Sequence, residues 1–410
     1  MDFADSPQEA AFRAEARAWL ERNAPRFAGR PRSESAGLVR AKAWQAEKAA
    51  AGWACIRWPR EYGGRGGTAI EDIVFAEEEA RFDLPTGYLG IGLHTCAGAL
   101  LACASEEQKR RFLPKLASGE EVWCQLFSEP GAGSDLAGLR TRAERDGDDW
   151  VINGQKVWNS GAHYADWAIL VARHDSSLPK HKGLVFFALD MKTPGVEARP
   201  IRQIPGTAEF NETFLQNVRI SDSHRIGEVG GGWQVAVATL ANERFGSFAL
   251  EPDVADAFAL ARSVTIDGGR AIERGEVRDR LADWYVQSEG VRLTYARALT
   301  ALSHGRQVGP EASISKVVAA AQTQDIASFG ADLLEQAGIL TGGEGGGEGG
   351  AAGLASGLFP NGLLAAPGMR IAAGTDEILR NIIAERVLGL PGDVRVDRDR
   401  AFAEVPGGPR

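Results

Sequence analysis

The stretch Trp123–Arg173, "WCQLFSEPGAGSDLAGLRTRAERDGDDWVINGQKVWNSGAHYADWAILVAR", is where the chain changes texture. Short β-branched and aromatic runs separated by turn residues read as strands. One strand is expected to end at Phe127-Ser128 and enter a tight turn through Pro130-Gly131-Ala132-Gly133. Such a loop can aim backbone N–H groups, with the Ser128, Ser134 and Asp135 side chains, at an electron-rich ligand. Asn153-Gly154 lies between two of the runs and predicts a hairpin with positive φ at both turn positions. The returning strand carries "VWNSG", which brings Trp158 and Ser160 to the edge of the same sheet. An indole face beside a hydroxyl suits a planar, hydrogen-bonding ring, and composition alone does not choose which ring. Trp158 taken by itself reads first as core packing, the usual place of a buried Trp.

Outward from this segment, the pattern is helical on both sides. Residues 1–120 read as an N-terminal helical domain. "SPQEAAFRAEARAWLER", Ser6 to Arg22, opens with Ser6 as N-cap, Pro7 at the first helical position and Glu9 closing a capping box. Phe12, Ala16, Trp19 and Leu20 then share one face. "TAIEDIVFAEEEARF" and "SEEQKRRFLPKLASG" repeat the design. Residues 121–229 form the middle β domain, continued by "KGLVFFALDM" and "ETFLQNVRIS". Residues 230–410 return to a helical period, with a long amphipathic helix through Leu281, Trp284, Tyr285, Val291, Tyr295 and Leu302. A second apolar helix carries Ile378, Leu379, Ile382, Ile383 and Val387. Long helices with short breaks predict a bundle. The fold class expected is mainly α with a central β domain.

Composition narrows the function. A chain of 410 residues with net charge −9 and no basic stripe is not expected to bind nucleic acid. No apolar run approaches the ~20 residues that span a bilayer. The acidic start "MDFADSPQEAAF" has no apolar core of a secretory signal, so a cytoplasmic location is expected. Cys55, Cys96, Cys103 and Cys124 form no C-x-x-C pair and read as small buried hydrophobes. The six histidines show no metal-ligand spacing, and no metal is expected. "GGEGGGEGGAAG", Gly342 to Gly353, reads as a flexible loop; a phosphate cradle is the alternative, but no P-loop lysine accompanies it.

"FSEPGAGSD" followed by "DGDDWVINGQKVWNSG" resembles the paired flavin motifs of the acyl-CoA dehydrogenase family, and "GTDEILRNIIAERVLGLP" resembles its C-terminal signature. The resemblance runs over nearly the whole chain. It implies an N-terminal helical domain, a middle β-barrel-like domain and a C-terminal four-helix bundle, with FAD as cofactor. It further implies α,β-dehydrogenation of an acyl-CoA to the trans-2-enoyl-CoA, a carboxylate taking the α-proton while hydride passes to flavin N5. By the same resemblance Phe127 and Ser128 meet the flavin's pyrimidine edge, Trp158 lies beside the isoalloxazine, and Ser160 stands near N5. Ser134 matches a contact to the thioester's pantetheine arm. Gly374 and Thr375 match the turn beside the reacting centre, where free N–H groups at a helix start favour an oxygen.

The family often places its base just before that Gly-Thr pair; here the position is Ala373, within "MRIAAGTDEILRN". Isovaleryl-type members instead carry the glutamate on another helix, immediately before an arginine. The corresponding run "GGWQVAVATLANERFGSFAL" offers Glu243 as base and Arg244 as its substrate-side neighbour. A Glu-Arg pair is also the ordinary surface ion pair. The family's R-x-x-F-G clamp on FAD is missing from "ARSVTIDGGRAIERGEVRDRLADWY", and only "EQAGIL" represents the adenine-side stretch. Homo- and heterotetramers (α2β2) therefore both stay open, as do a non-catalytic partner subunit and a thioester oxidase. Electron-transferring flavoprotein is the implied acceptor.

Overall fold

The computed structural model describes residues 5–29, 31, 33–243, 251–303, 309–339, 357–392, 394, 397, 399 and 400–405, without the side chains of 241–243, 302 and 303. These fall into two compact units. The first holds the N-terminal helices, the sheet, the helix before residue 243 and the chain from Val394 on. The second holds the helices between Arg244 and Asp393. The β segment and the N-terminal helices share one of these units.

In the first unit, helices α1 (Pro7–Asn23), α2 (Glu34–Ala50), α3 (Ala69–Glu79), α4 (Gly87–Gly90), α5 (Ala97–Cys103) and α6 (Glu106–Ala117) precede the sheet. Ser6, Thr68 and Ser105 each close a capping box at the start of α1, α3 and α6, satisfying donors that a bare helix end would leave orphaned. Phe12, Ala16 and Leu20 are buried against Trp44, Trp53 and Phe75, with Trp19 packed alongside.

The sheet has seven strands: β1 (Trp123–Leu126), β2 (Arg142–Asp146), β3 (Asp149–Val157), β4 (Trp167–Arg173), β5 (Leu184–Asp190), β6 (Val196–Pro200) and β7 (Asn211–Ser221). Their order is β1-β4-β2-β3-β7-β6, with β5 also paired to β4. Strand alternation explains why β4 and β5 are almost wholly buried. Trp167, Ile169 and Val171 face the helices, including Leu113, Leu116 and, from α7 (Gly232–Glu243), Val235 and Ala236. Ala168, Leu170 and Ala172 face the opposite way, into Trp150, Ile152, Leu215 and Ile220 of the far strands. The sheet thus curls over its own second core.

Asn153-Gly154 is not a hairpin turn. β3 runs straight through it, with a register irregularity against β7 between Ile152 and Gly154. The hairpin sits earlier, at Gly147 (φ 65°), joining β2 to β3. The reason lies across the strands: the Asn153 carboxamide oxygen accepts the Asn217 N–H at 2.9 Å, and Thr141 Cα would lie 2.7 Å from any Cβ on Gly154. Here Asn153 supplies the acceptor that the broken ladder leaves free, and Gly154 leaves room for the Thr141 backbone.

The second unit contains α8 (Val254–Ser263), a two-stranded ribbon of β8 (Thr265–Ile266) and β9 (Gly269–Arg270), α9 (Gly275–Ser303), α10 (Ala312–Leu333), α11 (Leu358–Met369) and α12 (Asp376–Ile382). Leu260, Leu281, Trp284, Ile326, Phe329 and Phe359 make its core. Gly330 lets the Phe359 ring pack directly on the α10 backbone. Among the described residues, α8 to α11 pack together around this core, in keeping with the expected bundle. Its glycine-rich stretch from Gly342 and Leu340 of the adenine-side run lie outside the described residues; Glu335–Ile339 is a short 3₁₀ turn.

Candidate functional site

The site is best built from the end of β1. Phe127 is a core residue, edge-on to Phe186 at 5.7 Å, so what it presents to a ligand is main chain. Glu129 and Ala132 exchange both backbone hydrogen bonds at 3.0 Å, closing the Pro130-Gly131 turn that the glycines predicted. Gly131 and Gly133 face open space.

Beneath this loop sits a pair that the sequence reading missed. Lys156 of β3 is 0% exposed; its ammonium donates to the Phe127 carbonyl and to the Glu129 carboxylate, each at 2.9 Å. Glu129 also accepts the N–H groups of Arg140 (2.6 Å) and Thr141 (2.8 Å). One carboxylate therefore ties both ends of the 129–141 loop to β3. Burial pushes the Glu129 carboxyl up, but the Lys156 charge and these donors outweigh it and hold its pKa below the ordinary value. Burial likewise depresses the Lys156 ammonium, with Glu129 opposing. The available signal was a lysine between Gln155 and Val157 in the strand run "VINGQKVW", with no indication of its partner.

Ser128 lies between the two anchored residues, its carbonyl taken by the Val157 N–H at 2.9 Å. Val157 leads into Trp158, a non-glycine residue at φ 62° whose indole is 59% exposed. The next residue shows what enforces this. Asn159 is buried and donates to the Gln125 carbonyl at 3.0 Å, while Asn159 and Asn211 cross-bond at 3.0 and 2.8 Å. With Val157 and Asn159 both locked inward, the residue between them must project outward. Among the described residues its ring meets Phe210, edge-on at 6.0 Å. Ser160 follows, half-buried. Among the described residues neither the Ser128 nor the Ser160 hydroxyl has a hydrogen-bond partner. An outward indole in a costly backbone state, flanked by two uncommitted hydroxyls, fits an isoalloxazine ring.

Ser134 is exposed on the far side of the glycine turn. Its neighbour Asp135 pairs with Lys180 at 3.0 Å. In the second unit, Ala373 (φ 52°) and Gly374 (φ 92°) form a left-handed turn into α12. Thr375 is its N-cap, accepting the Ile378 N–H at 3.2 Å, and the buried Lys316 ammonium grips the Gly374 carbonyl at 2.8 Å. Gly374 and Thr375 thus stand together, in a different unit from Phe127, Ser128, Ser134, Trp158 and Ser160. Glu243 is the last backbone position described in α7, in the same unit as Trp158; its side chain and all of Arg244 lie outside the described residues. Among the described residues there is no group of three side chains able to hold a metal, and no helix long and apolar enough to cross a membrane.

Residues 6–120 match the acyl-CoA dehydrogenase N-terminal domain, 124–218 the middle domain and 230–388 the C-terminal domain. Acyl-CoA dehydrogenase IpdE1 of Mycobacterium tuberculosis is 38% identical over 392 residues, covering 94% of this chain and 98% of the relative. FadE34 of the same organism is 36% identical over 334 residues, 82% of this chain and 44% of the relative. Among solved structures, the Tcur3481-Tcur3483 steroid ACAD superposes with TM-score 0.77 at 29% identity, covering 96% of this chain and 100% of that one. The ChsE4-ChsE5 complex of Mycobacterium tuberculosis does so with TM-score 0.77 at 28% identity, again over 96% and 100%. In all three of its segments the chain belongs to the acyl-CoA dehydrogenase family, whose enzymes depend on FAD.

Proposed function

We propose that this enzyme oxidises an acyl-CoA thioester to its trans-2-enoyl-CoA with Glu243 as the α-proton acceptor. The observation that carries the reading is Trp158, held outward at φ 62° between two inward-locked residues. FAD, when bound, supplies the two-electron sink for the β-hydride. The chain's own residues do the rest. Trp158 offers the ring a face, the hydroxyls of Ser128 and Ser160 donate to its edge, and Phe127 contributes backbone. Gly374 and Thr375 present main-chain donors at a helix start. Ser134 and Arg244 serve the thioester.

Thioester α-protons are weakly acidic, so the base must be close and desolvated. Ala373 brings only a methyl group, and Glu243 is the carboxylate that the isovaleryl-type pattern supplies instead. Glu243→Gln should keep its FAD, read from visible absorbance, yet show no flavin bleaching on rapid mixing with a turned-over acyl-CoA. Bleaching at the wild-type rate overturns the assignment.

That one structural relative is a steroid ACAD supports polycyclic acyl groups among the thioesters to test. A second reading is favoured by the two-protein complexes among the structural relatives: this chain as one kind of subunit in an α2β2 assembly, with the missing FAD clamp supplied by another chain. Electron-transferring flavoprotein as acceptor, a cytoplasmic location and domain boundaries near residues 120 and 229 complete the proposal. Ferrocenium and flavoprotein acceptors, compared with oxygen consumption, separate a dehydrogenase from an oxidase.

A further inference from the structure

After α12 the chain returns to the unit that contains the sheet. Phe402 is buried there, its ring over the Arg173 guanidinium at 3.6 Å and over that of Arg140 at 5.3 Å. The Phe402 N–H donates to the Leu178 carbonyl and the Ala403 N–H to the Ser176 carbonyl, each at 2.9 Å, and Ala401 bridges Pro179 antiparallel. The segment is thus stitched along the loop between β4 and β5.

Two routes lead from this stitch to the Ser134 loop. Arg173 is itself buried; it donates to the carbonyls of Leu139 (3.0 Å), Ala137 and Lys180 (3.3 Å), so its guanidinium props the turn following Ser134. The Phe402 ring covers the face of that guanidinium and excludes water from it, a contact that strengthens when desolvated. Separately, the Lys180 ammonium lies between two carboxylates, Asp397 at 2.6 Å and Asp135 at 3.0 Å. Asp135 is the residue next to Ser134.

We propose that Asp397 and Phe402 are positioning residues, a C-terminal clasp that holds the Ser134–Leu139 loop in shape to receive the thioester's pantetheine arm. This rests on the reading of Ser134 given above. The clasp touches no reacting atom, so it governs binding and leaves the chemical step alone.

The test uses the full-length, FAD-loaded protein. Phe402→Ala should raise KM, and the Kd of a non-reacting acyl-CoA thioether read from flavin spectral perturbation, about tenfold, with kcat within about twofold. Asp397→Asn should act in the same direction and less. Phe402→Trp, which keeps a ring over Arg173, should restore the wild-type values. Hydrogen exchange, which needs no substrate, should show the amides of Gly138, Leu139 and Arg140 exchanging about tenfold faster in Phe402→Ala, with β7 amides unchanged. Unchanged exchange at these amides overturns the clasp. Faster exchange with unaltered KM and Kd also overturns it, because the segment then only stabilises the loop. If the wild-type protein bound no acyl-CoA while exchange responded as expected, the clasp would stand and the functional reading of Ser134 would fall.

Discussion

Trp158 is a residue at which folding and binding pull in opposite directions. A bulky side chain at φ 62° sits in a backbone region that favours glycine, costing on the order of 1–2 kcal/mol. With most of its indole exposed it recovers little of that by burial. Trp158→Gly should therefore leave unfolding free energy in urea unchanged or raise it by up to about 1 kcal/mol, while FAD content falls sharply. A large loss of stability would make Trp158 an ordinary packing residue. Lys156 is the opposite case. Lys156→Met strands the buried Glu129 carboxylate with only its two backbone donors, and removing one partner of a buried pair costs about 3–5 kcal/mol. Adding Glu129→Gln should return part of that loss, which a double-mutant urea series would measure.

At the scale of elements, α1 and α3 are held together by more than their apolar faces. Glu78 of α3 accepts from Arg13 and Arg17 of α1 at 2.8–3.2 Å, and from Arg81 at 2.9 Å. The Arg17 hydrogen bond, opposed by burial and joined by Arg81 and Arg13, holds its pKa at about 2 instead of 4.5. A depressed carboxylate stabilises the fold fully above its unfolded pKa and loses that contribution as pH falls through the folded one. Glu78→Gln should thus lower Tm by a few degrees at pH 7, and the gap should close as pH falls from 4.5 toward 2. A gap at pH 2 as large as that at pH 7 would mean the loss is one of packing. The β3 bulge makes a steric prediction at the same scale. Gly154→Val drives a branched side chain into the Thr141 backbone, where a Cβ already lies 2.7 Å from Cα, and should cost at least about 2 kcal/mol in the same denaturation assay.

For the whole molecule, the outstanding feature is apolar surface in the helical unit. Tyr285, Val286 and Leu293 on α9, with Leu363 on α11, are exposed. Among the described residues, the part of this long amphipathic helix that reaches the core is its first half, at Val277, Leu281 and Trp284. Light scattering of the chain expressed alone, with FAD counted per chain, distinguishes the assemblies: a homotetramer with full flavin excludes the two-chain reading, and a smaller, flavin-poor species supports it.

Local chemistry was enough to read the helix starts at Ser6, Thr68 and Ser105 and the N-cap at Thr375, because a cap is made within four residues. The strand runs, the Pro130-Gly131 turn and the family motifs that carry Trp158 and Ser160 were legible for the same reason. What the residues alone left undecided involves partners distant in the chain. Asn153-Gly154 has the composition of a turn, and only Thr141 and Asn217 across the sheet make it a bulge. Lys156 and Glu129, 27 positions apart, become a pair only once β3 lies beside the end of β1. Phe402 meets Arg173 only after more than half the chain has intervened. Propensities and caps act over one turn of backbone, so sequence determines the elements; burial and ion pairing act through space, so only the folded chain decides which side chains they join.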